Sequence, residues 1–69
     1  METITIKYED GTKVKTVDLR DFIKTSRRML IDFGFDTVTE DEVERQVRAV
    51  LAGEPLNVIG VCLRDYIVR

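Results

Sequence analysis

The feature that most constrains this chain is that nothing can cross-link it internally. Its 69 residues include one cysteine, Cys62, and no histidine. A single cysteine cannot form a disulfide within the chain, and a structural zinc site needs four cysteine or histidine ligands. A core of this size rarely supplies more than about 3–5 kcal/mol. The fold must therefore rest on its apolar core, and association with itself or with a partner is the remaining source of stability.

The composition is that of one small globular domain, residues 1–69. Hydrophobic residues make up 43% and charged residues 35% of the chain, which argues against disorder. The formal net charge of −2 argues against bulk binding to nucleic acid or to a membrane surface. No apolar run is long enough to span a bilayer, and no signal peptide is visible at residues 1–4. We therefore expect a cytoplasmic protein without a membrane partner.

The N-terminal segment has the alternation of a β-hairpin. Ile4, Ile6 and Tyr8 alternate with polar residues, which is the period of a strand with one buried face. Residues 13–17 have the composition of a second strand, and Glu9-Asp10-Gly11 between them is a turn signal. The sequence thus predicts two antiparallel strands.

The turn leaves two pairing registers open. A two-residue Asp-Gly loop pairs Ile6 with Lys15 and brings lysines to the apolar face. A three-residue loop with a left-handed glycine pairs Tyr8 with Thr12 and Ile6 with Val14, which keeps that face apolar. We predict the three-residue loop. The outer face would then carry the following polar side chains: Thr5, Lys7, Lys13 and Lys15.

The first helix is predicted over about residues 18–33. Asp18 suits the N-cap, and Val17 and Phe22 occupy the positions of a hydrophobic staple. Gly34 suits the end of the helix. The apolar stripe predicted to face the core comprises Leu19, Phe22, Ile23, Ser26, Leu30 and Phe33.

The second helix is predicted over about residues 39–52. Thr39 and Glu42 form a capping box, and Gly53 followed by Pro55 ends the helix. The apolar stripe predicted for this helix comprises Val43, Val47, Val50 and Leu51.

Residues 57–68 fit either a helix or a strand. The segment is rich in valine and isoleucine, which favour strands. However, Ile59, Cys62, Leu63 and Tyr66 have the spacing of a helical stripe, and Asn57 can cap a helix. Giving periodicity more weight than propensity, we predict an α+β fold of order ββααα, a hairpin packed against the helices. The order ββααβ is the alternative.

The usual catalytic side chains are scarce. Cys62 has no histidine to act as its base, and Asp32-Phe33-Gly34 matches a kinase triplet in its letters alone. The acidic residues near position 40 lack the spacing of a calcium loop, and acids in a first helical turn favour the helix dipole anyway. We therefore predict no enzymatic activity, no metal and no cofactor.

The leading functional prediction is an interaction or regulatory protein that works through protein–protein contacts, as a homodimer or bound to another protein. It follows from the scarce catalytic inventory and the small core. Some apolar residues lie outside the predicted stripes and are candidates for an intermolecular patch. They are Met29, Ile31, Val61 and Val68.

The alternative prediction is a nucleic-acid-binding accessory protein that uses basic patches on the hairpin or the first helix. The second helix is a poor recognition helix, because Glu40, Asp41 and Glu42 at its start would repel phosphates. The basic candidates are Lys13 and Lys15 on the hairpin and Lys24, Arg27 and Arg28 on the first helix.

Overall fold

The computed structural model describes residues 1–7 and 13–69 and confirms the α+β order ββααα. The predicted turn Glu9-Asp10-Gly11 and the predicted pairing of Tyr8 with Thr12 lie outside the described residues. The elements are β1 (Thr3–Lys7), β2 (Val14–Asp18), α1 (Leu19–Asp32), α2 (Glu40–Ala52) and α3 (Val58–Arg64).

The predicted register of the hairpin is wrong. β1 and β2 pair antiparallel with Ile4 opposite Val17 and Ile6 opposite Lys15, not opposite Val14. Val14 and Val17 are three residues apart, so they point to opposite faces and only one of them can join Ile4 on the core side. The structure places Val17 there, next to the start of α1, and leaves Val14 59% exposed.

This register also corrects the predicted row of lysines. The Oγ1 atoms of Thr5 and Thr16 lie 3.4 Å apart on the outer face. Lys7 is paired with Val14 on that same face, whereas Lys15 is paired with Ile6 and shares its face. The hairpin lysines are therefore divided between the two faces, so they do not form one basic surface.

The N-cap predicted for α1 is confirmed, because the backbone N–H of Asp21 donates to Oδ2 of Asp18 at 3.1 Å. One residue of its predicted stripe is misplaced: Phe33 is 65% exposed. Phe33 is the C-cap residue, and Gly34 turns the chain away with a φ of 105°. The buried residues of α1 are Leu19, Ile23, Ser26 and Leu30.

The cap of α2 is also confirmed, since the backbone N–H of Glu42 donates to Oγ1 of Thr39 at 3.2 Å. The helix ends at Gly53, whose φ of 71° is the left-handed conformation that glycine adopts without strain. Leu51 was wrongly placed in the stripe, because it is 44% exposed. The buried side of α2 comprises Val43, Gln46, Val47, Ala49 and Val50, and it contacts both α1 and α3.

The C-terminal segment forms a helix in its first part and an extended chain in its second part. Residues 58–64 form α3, which confirms the helix prediction for that part. The chain then extends, and Ile67 forms an isolated antiparallel bridge with Ile6 of β1. The backbone N–H of Lys7 donates to the carbonyl of Tyr66 at 2.8 Å. The tail after α3 thus runs along the edge of β1 that β2 leaves free.

The core gathers side chains from every element. Its fully buried members are Ile23, Leu30, Val43, Val47 and Leu63. Around them pack further buried residues: Ile4, Leu19, Val38, Val50, Ile59 and Ile67. Within residues 1–7 and 13–69, no helix is long and apolar enough to cross a membrane.

Candidate interaction surface

The seven-residue helix α3 is apolar on both of its sides. Ile59 and Leu63 are buried on the side that packs against α2. On the opposite side Val58 is 60% exposed and Val61 is 42% exposed. A helix that is hydrophobic all round is normally buried all round. We call Val58 and Val61 the outer face of α3, and no residue in the described part of the chain covers this face.

A polar contact to α2 fixes the position of α3. The side chain of Asn57 caps α3, because its Oδ1 accepts from the backbone N–H groups of Ile59 at 2.9 Å and Gly60 at 3.2 Å. The backbone N–H of Asn57 in turn donates to Oε1 of Gln46 at 3.0 Å. Gln46 is buried within α2, so this bond ties the first turn of α3 to the middle of α2.

Gly60 lies in close contact with the side chain of Gln46 in α2. A Cβ atom there would collide with Oε1 of Gln46 and would lie 2.9 Å from Cβ of Leu56. Sequence reasoning missed both Gln46 and Gly60. A signal for Gly60 was present, since a glycine inside a helix costs about 1 kcal/mol relative to alanine and calls for a compensating contact. This close approach holds α3 so that its outer face points to solvent.

The predicted apolar patch is not assembled as one surface. Met29 and Ile31 are half-buried and pack against the core. They are two residues apart on α1, about 200° around the helix, so they flank it on opposite sides. Val68 is half-buried in the tail, and Val61 alone belongs to the outer face of α3. Whether these residues bind a partner stays a prediction.

The basic residues of α1 have different surroundings. Nε of Arg27 donates to the carbonyl of Val38 at 2.9 Å, so its guanidinium holds the connection before α2. Lys24 and Arg28 are exposed one turn apart. On the hairpin, Lys13 is exposed, while Lys15 borders a groove beside Phe22. Their binding to nucleic acid is a prediction that the geometry does not test.

An exposed ion cluster links the start of the chain to α2. The guanidinium of Arg48 contacts both carboxylate oxygens of Glu2, at 2.9 and 3.2 Å, and also contacts Glu44 at 2.9 Å. Arg20 of α1 contacts the other oxygen of Glu44 at 2.7 Å. Hydrogen bonds from Arg48 hold the pKa of Glu2 and of Glu44 below the usual value of 4.5. The same bonds raise the pKa of Arg48.

This cluster predicts how stability depends on pH. Because the pKa values of Glu2 and Glu44 are lowered in the folded state, their contribution is present above the ordinary carboxyl pKa. This stabilising contribution is lost as the pH falls through the pKa values that Glu2 and Glu44 have in the folded state. Urea unfolding followed from neutral to acidic pH should show this loss, and Arg48→Gln should flatten that part of the profile. Arg45→Gln, which removes an arginine outside the cluster, should leave the profile unchanged. Identical profiles for the two variants would contradict this role of Arg48.

The described residues contain no group of histidine, cysteine, aspartate and glutamate side chains placed to hold a metal ion. The free thiol of Cys62 is half-buried and packs against the core.

Comparison with known proteins gives no match to a family model, a curated protein or a solved structure.

Proposed function

We propose that this chain is a non-enzymatic interaction protein that forms a homodimer through the outer face of α3. The observation that carries the proposal is the exposure of Val58 and Val61 on a helix whose other side is already buried. Fully burying a valine side chain contributes about 1.5 kcal/mol or more. A domain of this length has only a few kcal/mol of its own, so covering this face adds a large share.

The chemistry of this face favours a second copy as its occupant. In a two-fold interface both protomers use the same surface. A charged residue near the axis would therefore lie next to the same residue of the other protomer and be repelled by it. The two valines of the outer face meet their copies without repulsion, and the exposed charges beside them, Arg64 and Asp65, are of opposite sign and can pair across the two-fold axis. The outer edge of β2 is a weaker candidate, because Lys15 on the core side of an edge strand opposes pairing with another strand.

The test compares the two valines of the outer face with an exposed valine on the hairpin. Val58→Asp with Val61→Asp places carboxylates on the outer face, whereas Val14→Asp places one on the hairpin, where the valine is as exposed as Val58. Sedimentation velocity from micromolar to near-millimolar protein should show the wild type and Val14→Asp converting from monomer to dimer. The double variant should have its dimer dissociation constant raised at least about a hundredfold, because the aspartates would be buried without partners.

Two results would reject the homodimer. The wild type could remain a monomer over the whole concentration range, which would leave another protein as the occupant of this face. Alternatively, the double variant could dimerise as well as the wild type, which would place the contact elsewhere. Circular dichroism of each variant checks that the fold is intact, since all three valines are exposed.

A further inference from the structure

A groove of about 520 Å³ lies where the end of α2, the tail and β1 meet. Its apolar lining includes Val50 of α2, Leu56 of the segment between α2 and α3, and Ile67 of the tail after α3. The volume falls within the range of roughly 300–1,000 Å³ that is typical of small-molecule sites. The groove does not include the outer face of α3, so it is a separate feature of the surface.

Three cations from three different elements border this groove: Lys7 at the end of β1, Arg64 at the end of α3 and Arg69 in the tail. Among the described residues, none of them lies within ion-pair distance of a carboxylate. This is so even though Glu54 and Asp65 border the same groove. The cations therefore keep their hydrogen-bonding capacity for another anion.

One of these cations lies directly against Gly53. A Cβ atom on Gly53 would lie 2.8 Å from Nη2 of Arg69, so the guanidinium rests where any other residue would place its side chain. Gly53 ends α2 in the left-handed conformation, and its missing side chain leaves room for the guanidinium of Arg69. Arginine guanidinium groups bind carboxylate and phosphate in a planar, two-pronged geometry.

We infer that this groove binds a small organic oxyanion: a carboxylate or phosphate monoester that carries a short hydrocarbon body. The head group would contact Lys7, Arg64 and Arg69, and the body would lie on the apolar lining. The two acids, Glu54 and Asp65, reduce the side-chain charge around the groove to +1, which argues against a polyanion. The inference does not depend on the homodimer.

The test is a titration followed by amide NMR spectra of the labelled protein. Hexanoate and hexyl phosphate are the probes, with sodium chloride at the same ionic strength as the control. We expect saturable shifts at the amides of Gly53, Leu56 and Ile67 with both probes, and tighter binding of one identifies the head group. Acetate and inorganic phosphate should bind more weakly, because they lack the hydrocarbon body.

The variant Arg64→Gln with Arg69→Gln should raise the dissociation constants at least about tenfold, because it removes the two planar donors. Arg45→Gln changes an arginine of α2 that does not border the groove, so it should bind like the wild type. Shifts that do not saturate, that appear equally with chloride, or that persist in the double variant would overturn the inference. Both variants retain the buried core, because the substituted residues are exposed.

Discussion

Replacing Leu63 with alanine is expected to lower the free energy of unfolding by about 3 kcal/mol, within the range measured for buried leucines. Leu63 has no exposed surface, and it anchors α3 in the core. A core of this size rarely supplies more than about 3–5 kcal/mol, so the Leu63→Ala protein should retain no more than about 2 kcal/mol. Urea denaturation followed by circular dichroism measures the change.

Leu51→Ala is the matched control, since Leu51 is also a helical leucine but is 44% exposed. Its loss should stay below about 1 kcal/mol, because little apolar surface returns to water and no cavity forms. Equal losses for the two variants would contradict the placement of Leu63 at the centre of the core.

Replacing Gly60 with valine is expected to cost at least about 3 kcal/mol, through overpacking and through loss of a buried hydrogen bond. The new side chain would occupy the space of Oε1 of Gln46, which accepts from the backbone N–H of Asn57. Either α3 moves away from α2 or that bond breaks. Urea denaturation of the purified variant measures the loss.

Gly60→Ala makes the same test more sharply, because helix propensity and packing predict opposite signs. Propensity alone predicts that alanine stabilises a helix by about 1 kcal/mol relative to glycine. The contact with Gln46 predicts a net loss, and a stabilised Gly60→Ala protein would contradict the close approach of the helices.

At Gly34 no atom lies within 4 Å of the new Cβ, so Gly34→Ala should show the cost of the left-handed backbone alone, about 1–2 kcal/mol.

The helix caps could be predicted from sequence because their chemistry is local. Asp18 and Thr39 each accept a hydrogen bond from a backbone N–H three residues ahead, and Asn57 caps α3 in the same way. The hairpin register could not be predicted, because Val14 and Val17 compete for one face. The docking of α1, a tertiary contact, decides which of them is buried.

The tail shows a second limit of local reasoning. Residues 58–64 follow their helical spacing, but the isoleucine and valine beyond them pair with β1 once that strand is in place. Residues with strand propensity form a strand only where the edge of another strand can accept and donate their backbone hydrogen bonds. Neither the all-helix reading nor the all-strand reading of the segment anticipated this division.

The candidate surfaces depended even more on tertiary structure. Val61 was identified from sequence, but its neighbour Val58 was not, because only the packing of α3 on α2 shows that both valines face outward. The cations of the groove lie far apart in sequence, at residues 7, 64 and 69, so no local motif links them. Contacts between distant segments of a chain leave no periodic signal in it.

The most direct test of the central claim is a search for nuclear Overhauser effects between protomers, in a sample that mixes isotope-labelled and unlabelled protein. If the outer face of α3 meets its own copy, methyl protons of Val58 and Val61 should show contacts across the interface, and methyl protons of Val14 should show none. A dimer whose intermolecular contacts lie on another surface would contradict the account. So would a sample without such contacts whose mass is that of a monomer at the same concentration.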